Sequence, residues 1–322
     1  VLIPVIFKRG NPYCPENKKG QLVSFSLEQI KGVMPAFITP YDSSGAVNVD
    51  MIRRMVTWQI EQGACGFFVC GSTGEGLLLT PDERKLIART VIETAAGQVP
   101  VMVHVGAVST QESAALAADA RKAGADAVSS IPPVYYKVGL AGMLQHIRGI
   151  AEAAELPTFY YHIPALTGVY LSADELVDAF TSVPGVAGMK FTDTDMFFLW
   201  SMLDAGQGRF RVFNGADQML FHGLSTGAIG GIGSTYNYQM RNIAGVYNAI
   251  QAGDLDEARE WQWKANAVIK VLFRNGANLA CEKAIMRLLG FDTGMPRSPM
   301  VSFPPEKVDS LKRQLEEIHF FD

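Results

Sequence analysis

From Gly32 onward, short apolar runs alternate with amphipathic stretches. The runs fall at 33–39, 66–70, 100–105, 127–130, 158–162, 186–191, 210–214 and 228–233. Nearly every position in them is apolar or small, as in strands buried on both faces of a parallel sheet. Between them the spacing turns helical. Thr80-Pro81-Asp82-Glu83 reads as a capping box with proline at the first helical position, and Leu86, Ile87, Val91 and Ile92 follow as one stripe. Ser109-x-x-Glu112 and Ser172-x-x-Glu175 repeat the capping signal, and Gly63, Gly97 and Gly124 stand where helices stop. A weak repeat, Gly63-Ala64-Cys65-Gly66, Gly124-Ala125-Asp126-Ala127 and Gly227-Ala228-Ile229-Gly230, leads a helix into a strand each time. Eight such units predict an α/β fold, a (β/α)8 TIM barrel. A doubly wound sheet is the alternative, but no GxGxxG follows the first run.

After Tyr236 the strand signal stops. Residues 239–252, 254–274, 278–290 and 305–318 read as helices, with Pro296, Pro299, Pro304 and Pro305 interrupting the chain before the last. The expected organisation is a leader or appended remnant at 1–30, the barrel at 31–235 and a helical extension at 236–322. Within the leader, the apolar residues 1–7 precede Lys8 and Arg9, the reverse of a secretory signal.

Composition narrows the function classes. Of 322 residues, 48% are hydrophobic and 19% charged, the balance of a globular protein. A net charge of −4 offers no basic footprint for nucleic acid, and no apolar run approaches the ~20 residues of a membrane-spanning helix. Cys14, Cys65, Cys70 and Cys281 form no CxxC pair, so a disulfide framework is not expected and a reducing, cytoplasmic setting is. The five histidines show no metal-ligand spacing, so no metal is expected.

In such a barrel the chemistry sits at the carboxyl ends of the strands. The sixth run, Val186-Ala187-Gly188-Met189-Lys190-Phe191-Thr192, carries a lysine. Burial there disfavours the charged form, and a neutral amine is a nucleophile suited to Schiff-base chemistry. The alternative is a strand-end lysine that reaches solvent or a carboxylate. Period two puts Lys190 and Thr192 on one face, and Tyr161 on the adjacent strand can point to the same centre as a proton shuttle or pack as a core tyrosine. Gly71-Ser72-Thr73-Gly74-Glu75 offers donors to an anionic group without the lysine of a P-loop. Asn214-Gly215-Ala216-Asp217-Gln218 and Gly233-Ser234-Thr235 follow the seventh and eighth runs. His104 and His162 read as hydrogen-bonded core residues, Met219 and Phe221 as core, Tyr135 and Tyr136 as loop aromatics, and Glu282 and Lys283 as a solvated helix face.

Five segments in order, GSTGE, His104-Val105-Gly106, YHIPALTG (161–168), Lys190-x-Thr192 and GGIGSTYN (230–237), resemble the N-acetylneuraminate lyase and dihydrodipicolinate synthase superfamily from about residue 31 to the end. The resemblance implies a class I aldolase barrel, usually homotetrameric, that needs no cofactor and acts on a small 2-keto acid. It implies Lys190 as the Schiff-base nucleophile and Tyr161 as the proton shuttle. It implies Ser72 and Thr73 as holders of the pyruvyl carboxylate, with Thr73 also in the proton relay. Thr192, Gly215, Asp217 and Ser234 would line the sugar part. The chain is similar to the lyase branch: Leu166 stands where the synthases usually carry arginine, and Ser72 where they usually carry threonine. The implied reaction is reversible cleavage of N-acetylneuraminate to pyruvate and N-acetylmannosamine. Gln218 departs from the lyases' usual glutamate; it keeps an acceptor, adds donors and loses the charge. The tyrosine–lysine spacing is one residue longer than in many bacterial lyases, with the extra residue expected at 181–185. The alternatives are a synthase, a lyase for another sugar acid, or a non-catalytic keto-acid-binding paralogue.

Overall fold

The computed structural model describes residues 11–14 and 24–322. Eight parallel strands run in sequence: β1 (Gly32–Pro35), β2 (Phe67–Val69), β3 (Val101–His104), β4 (Ala127–Ser130), β5 (Thr158–His162), β6 (Val186–Phe191), β7 (Arg211–Asn214) and β8 (Gly230–Gly233). Each pairs with its sequence neighbour from β2 to β8, and β8 pairs with β1. A single bridge between Ala36 and Phe68 joins the first strand to the second. This is the expected TIM barrel. Its interior is filled by Met34, Phe68, Met102, Phe159, Phe213 and Ile232, with the smaller Ala127 and Ala187 from β4 and β6, alternate strand positions facing inward.

The helices are α1 (Val49–Glu61), α2 (Pro81–Ala95), α3 (Thr110–Ala123), α4 (Gly139–Ala154), α5 (Pro164–Thr167), α6 (Ala173–Thr181), α7 (Met196–Gly206), α8 (Leu220–Thr226), α9 (Tyr236–Ala252), α10 (Leu255–Arg274), α11 (Leu279–Leu288) and α12 (Val308–Glu316). The capping signals hold: Thr80 and Ser172 form capping boxes with Glu83 and Glu175, and Ser109 accepts from the Glu112 amide. Alternate strand residues face outward, where Val69, Val101 and Val103 share a core with Ile87 and Val91 of α2. α9 is kinked at Gln239, whose backbone is non-helical (φ −130°, ψ 33°): a first turn from Tyr236 precedes the helix expected from 239, and Tyr236, Met240 and Ile243 share one core with Val33 of β1. Cys281, Ile285 and Met286 of α11 join the main core. No helix among the described residues is long and apolar enough to cross a membrane.

One bulge decides which side chains face inward. Thr158 pairs with Val186, but Phe159 pairs with Gly188, so Ala187 has no partner on β5. A one-residue slip exchanges the two faces of a strand. Because of it, Tyr161 is paired with Lys190; an unshifted ladder would have paired it with Met189.

The amino-terminal face is closed by the segment ahead of β1. Phe25 and Ile30 enter the interior cluster. Asp126 takes the Phe25 amide at 2.9 Å and the Val101 amide at 2.8 Å, which ties this plug to β3. Most of the leader expected at 1–30 lies outside the described residues. The cysteine expectation is corrected here: Cys14 and Cys65 form a disulfide across 51 residues. It anchors the segment at 11–14 just ahead of β2. Cys70 and Cys281 are free and buried.

Candidate active site

Tyr161 and Lys190 come from adjacent strands near their carboxyl ends. Lys190 Nζ lies 4.2 Å from the centre of the Tyr161 ring and 4.6 Å from that of Phe68. The two residues are only 3% and 4% exposed. Phe68 and His104 meet the Tyr161 ring edge to face at 5.9 and 6.1 Å, so the ring is fixed in orientation. The amine thus sits against two aromatic faces in a buried setting.

Ser72 and Thr73 occupy the turn after β2. Ser72 is exposed and Thr73 half-buried. The turn is bracketed by two residues in the left-handed region, Cys70 (φ 60°) and Glu75 (φ 59°), a conformation that costs non-glycine residues free energy and clusters at functional sites. Gly76 closes it: a Cβ there would overlap the Cys70 carbonyl. The turn is held from the far end of the chain. Lys283 Nζ meets Glu75 Oε1 at 2.8 Å, with side-chain exposures of 2% and 0%. The Arg297 amide donates to Glu75 Oε2 at 2.6 Å.

The other side of the mouth is built by the ends of β6, β7 and β8. Thr192 Oγ1 is buried with no hydrogen-bond partner among the described residues. Gly215 must be glycine because a Cβ would run into that oxygen. Asp217 Oδ2 accepts from the Thr235 amide at 2.8 Å and its hydroxyl at 2.7 Å. Burial raises the Asp217 pKa, against those bonds and the Lys190 charge. Gln218 is half-buried. Ser234 Oγ donates to Glu282 Oε1 at 2.8 Å. Burial, opposed by the Ser234 bond and reinforced by the Asp217 charge, lifts the Glu282 carboxyl to about 8. Asn237 ties this end to β1, donating to the Ala36 carbonyl at 2.7 Å and the Ser234 carbonyl at 2.8 Å.

Ser72, Thr73, Tyr161, Lys190, Thr192, Gly215, Asp217, Gln218 and Ser234 therefore lie at or just past the carboxyl ends of β2, β5, β6, β7 and β8, on one face of the barrel. Glu282 and Lys283 do not form a solvated helix face, as expected above; they are 6% and 2% exposed. The first turn of α11 tucks under the mouth because Ala280, Cys281 and Ile285 fill the core beside it. His104 is a core residue whose Nε2 accepts from the Ile131 amide at 3.2 Å, and burial holds its pKa well below the usual range. His162 is buried and stacks on both Phe191 and Phe198, but its Nδ1 has no hydrogen-bond partner among the described residues. Tyr135 and Tyr136 are exposed loop aromatics, and Met219 and Phe221 are only partly buried. Among the described residues, no three His, Cys, Asp or Glu side chains gather where they could hold a metal ion.

The dihydrodipicolinate synthetase family profile matches residues 29–318. The chain belongs to this family. It is 38% identical to the N-acetylneuraminate lyase of Citrobacter koseri over 250 residues, 77% of this chain and 84% of that protein. The N-acetylneuraminate lyase of Aliivibrio salmonicida superposes with a TM-score of 0.84 at 31% identity, covering 90% of this chain and 97% of that one. A catalytic lysine mutant of the Ruminococcus gnavus sialic acid aldolase superposes at 0.87 with 29% identity, covering 92% and 98%. The family match takes in the barrel and the α11 residues that brace its mouth. Glu75, Asn237, Glu282 and Lys283 were not read from the sequence as part of the site. Glu75 and Asn237 at least lie inside the motifs GSTGE and GSTYN; nothing in the pattern of α11 marks the other two.

Proposed function

We propose that the protein is a class I aldolase that cleaves N-acetylneuraminate reversibly to pyruvate and N-acetylmannosamine. The observation that carries this reading is Lys190 Nζ held 4.2 Å from the Tyr161 ring centre on paired strands, in a chain 38% identical to a lyase of that name. Ser72 and Thr73 hold the carboxylate of the 2-keto acid. Lys190 adds to the C2 carbonyl, and loss of water gives an iminium. Tyr161, relayed through Thr73, takes the proton from the C4 hydroxyl as the C3–C4 bond breaks, and the electron pair moves into the iminium. The enamine is protonated at C3 and hydrolysed to pyruvate, which frees Lys190. Thr192, Gly215, Asp217, Gln218 and Ser234 receive the sugar end, and Thr192 Oγ1 has an unused hydrogen-bonding capacity for it. We also propose a homotetramer, on family likeness. The cytoplasmic setting expected from the cysteines is not carried forward, since the Cys14–Cys65 bond favours an oxidising compartment.

Borohydride reduction in the presence of pyruvate, followed by peptide mass spectrometry, should find the adduct on Lys190. An unlabelled Lys190 overturns the mechanism. A coupled assay should detect pyruvate from N-acetylneuraminate; release only from another keto acid of a panel would reassign the substrate and keep the chemistry.

A further inference from the structure

Glu282 is costly where it stands. Its carboxyl is buried, and the adjacent cation, Lys283, is turned away to Glu75 at 2.8 Å. Oε1 is bonded to Ser234 Oγ at 2.8 Å. Oε2 is buried without a hydrogen-bond partner among the described residues. The titratable groups that act on it or feel it are Asp217, Tyr238 and Cys281, and none of these is a cation. An apolar side chain of similar volume would fill the same space without the desolvation penalty. Packing therefore does not account for an acid at this position. What it does account for is Ser234: whichever of the two groups carries the shared proton, one side of that hydroxyl is committed to Glu282. The half-buried Ser234 keeps a further hydrogen-bonding position at the end of β8, with its hydroxyl held by Glu282.

We infer that Glu282 is a specificity-determining positioning residue, which acts through Ser234 to orient the hydroxyl that meets the polyol chain of the substrate. This rests on the aldolase reading above and extends it to α11, an element outside the eight strand–helix units. The recognised group is a neutral hydroxyl, because Asp217 lies on the same side and a second anionic group would face it.

The test compares two substrates and two variants. N-acetylneuraminate carries the polyol; 4-hydroxy-2-oxopentanoate has the same reacting atoms and lacks it. The readout is the ratio of kcat/KM for the long acid to that for the short one, with thermal stability measured alongside. In E282M the ratio should fall about tenfold, as expected for a misdirected hydrogen bond, mostly through KM. The melting temperature should hold or rise, since a buried unpaired acid is gone. E282Q, which retains an acceptor and donors, should restore most of the ratio. A ratio in E282M within twofold of the wild type overturns the inference, as does a loss of stability with both substrates affected equally. Wild-type protein that cleaves neither acid overturns the aldolase reading and this inference with it; wild-type cleavage with an unmoved ratio overturns this inference alone.

Discussion

Glu75 and Lys283 form a buried ion pair at 2.8 Å between the turn after β2 and the first turn of α11. Lys283 Nζ also donates to the Thr39 carbonyl at 3.0 Å, and burial lowers its pKa in spite of Glu75. Removing one partner of such a pair strands the other charge. K283M should cost about 3–5 kcal/mol of stability, read as a lower denaturant midpoint. It should also raise the KM for any 2-keto acid, because the turn carrying Ser72 and Thr73 loses its brace. The double variant E75Q/K283M should recover part of the stability; failure to do so would mean that the pair is not the source of the loss.

Tyr161 is proposed to move protons, which a phenyl ring cannot do. Y161F keeps the edge-to-face contacts with Phe68 and His104 and should fold normally. Its kcat for cleavage should drop about 10²- to 10⁴-fold in steady-state assays. A drop under tenfold would assign the ring to packing alone.

The Glu282 carboxyl, lifted to about 8 from an ordinary 4.5, gives stability a definite pH dependence. Between those values the unfolded chain has released the proton and the folded protein still binds it. The folded state is therefore progressively disfavoured as pH rises from about 4.5 to about 8, and the effect levels off above. Asp217, also raised by burial, acts in the same direction. Melting temperatures measured from pH 5 to 8 should fall more steeply for the wild type than for E282Q. Parallel curves would refute the protonated state.

The Cys14–Cys65 disulfide should show itself in thiol counts. Denatured, unreduced protein should react at two thiols, Cys70 and Cys281, and reduced protein at four. C14S should cost on the order of 3–4 kcal/mol, given the length of the closed loop. The bond lies on the amino-terminal side of β2, so kcat at low temperature should be unchanged by reduction.

Much of the barrel was legible because its strands are apolar throughout and its helices carry explicit caps, as at Thr80 and Ser172. The candidate site was legible to the extent that its residues end those strands or follow them directly: Lys190 stands near the end of β6, and Ser72, Asp217 and Ser234 just past an apolar run. What the sequence hid comes from long-range packing. Glu282 and Lys283 look solvated, since nothing local says that α11 turns its first turn inward; contacts with β8 and with Glu75 some 200 residues earlier decide it. Cys14 and Cys65 were read from spacing, which carries no information about two segments brought together at the base of a barrel.

The bulge at Ala187 makes the site a matter of parity. Along a strand, odd and even positions serve different masters, the interior and the helical shell, and the unpaired Ala187 is where β6 changes from one count to the other. Loops between β5 and β6 can lengthen or shorten freely, because the count is set inside the strand and after them. One residue gained or lost between Val186 and Lys190 would instead hand the interior position to Met189 or Phe191, and turn the amine out among the helices. The reactive centre is thus protected against variation in its surroundings and exposed at a single, one-residue step.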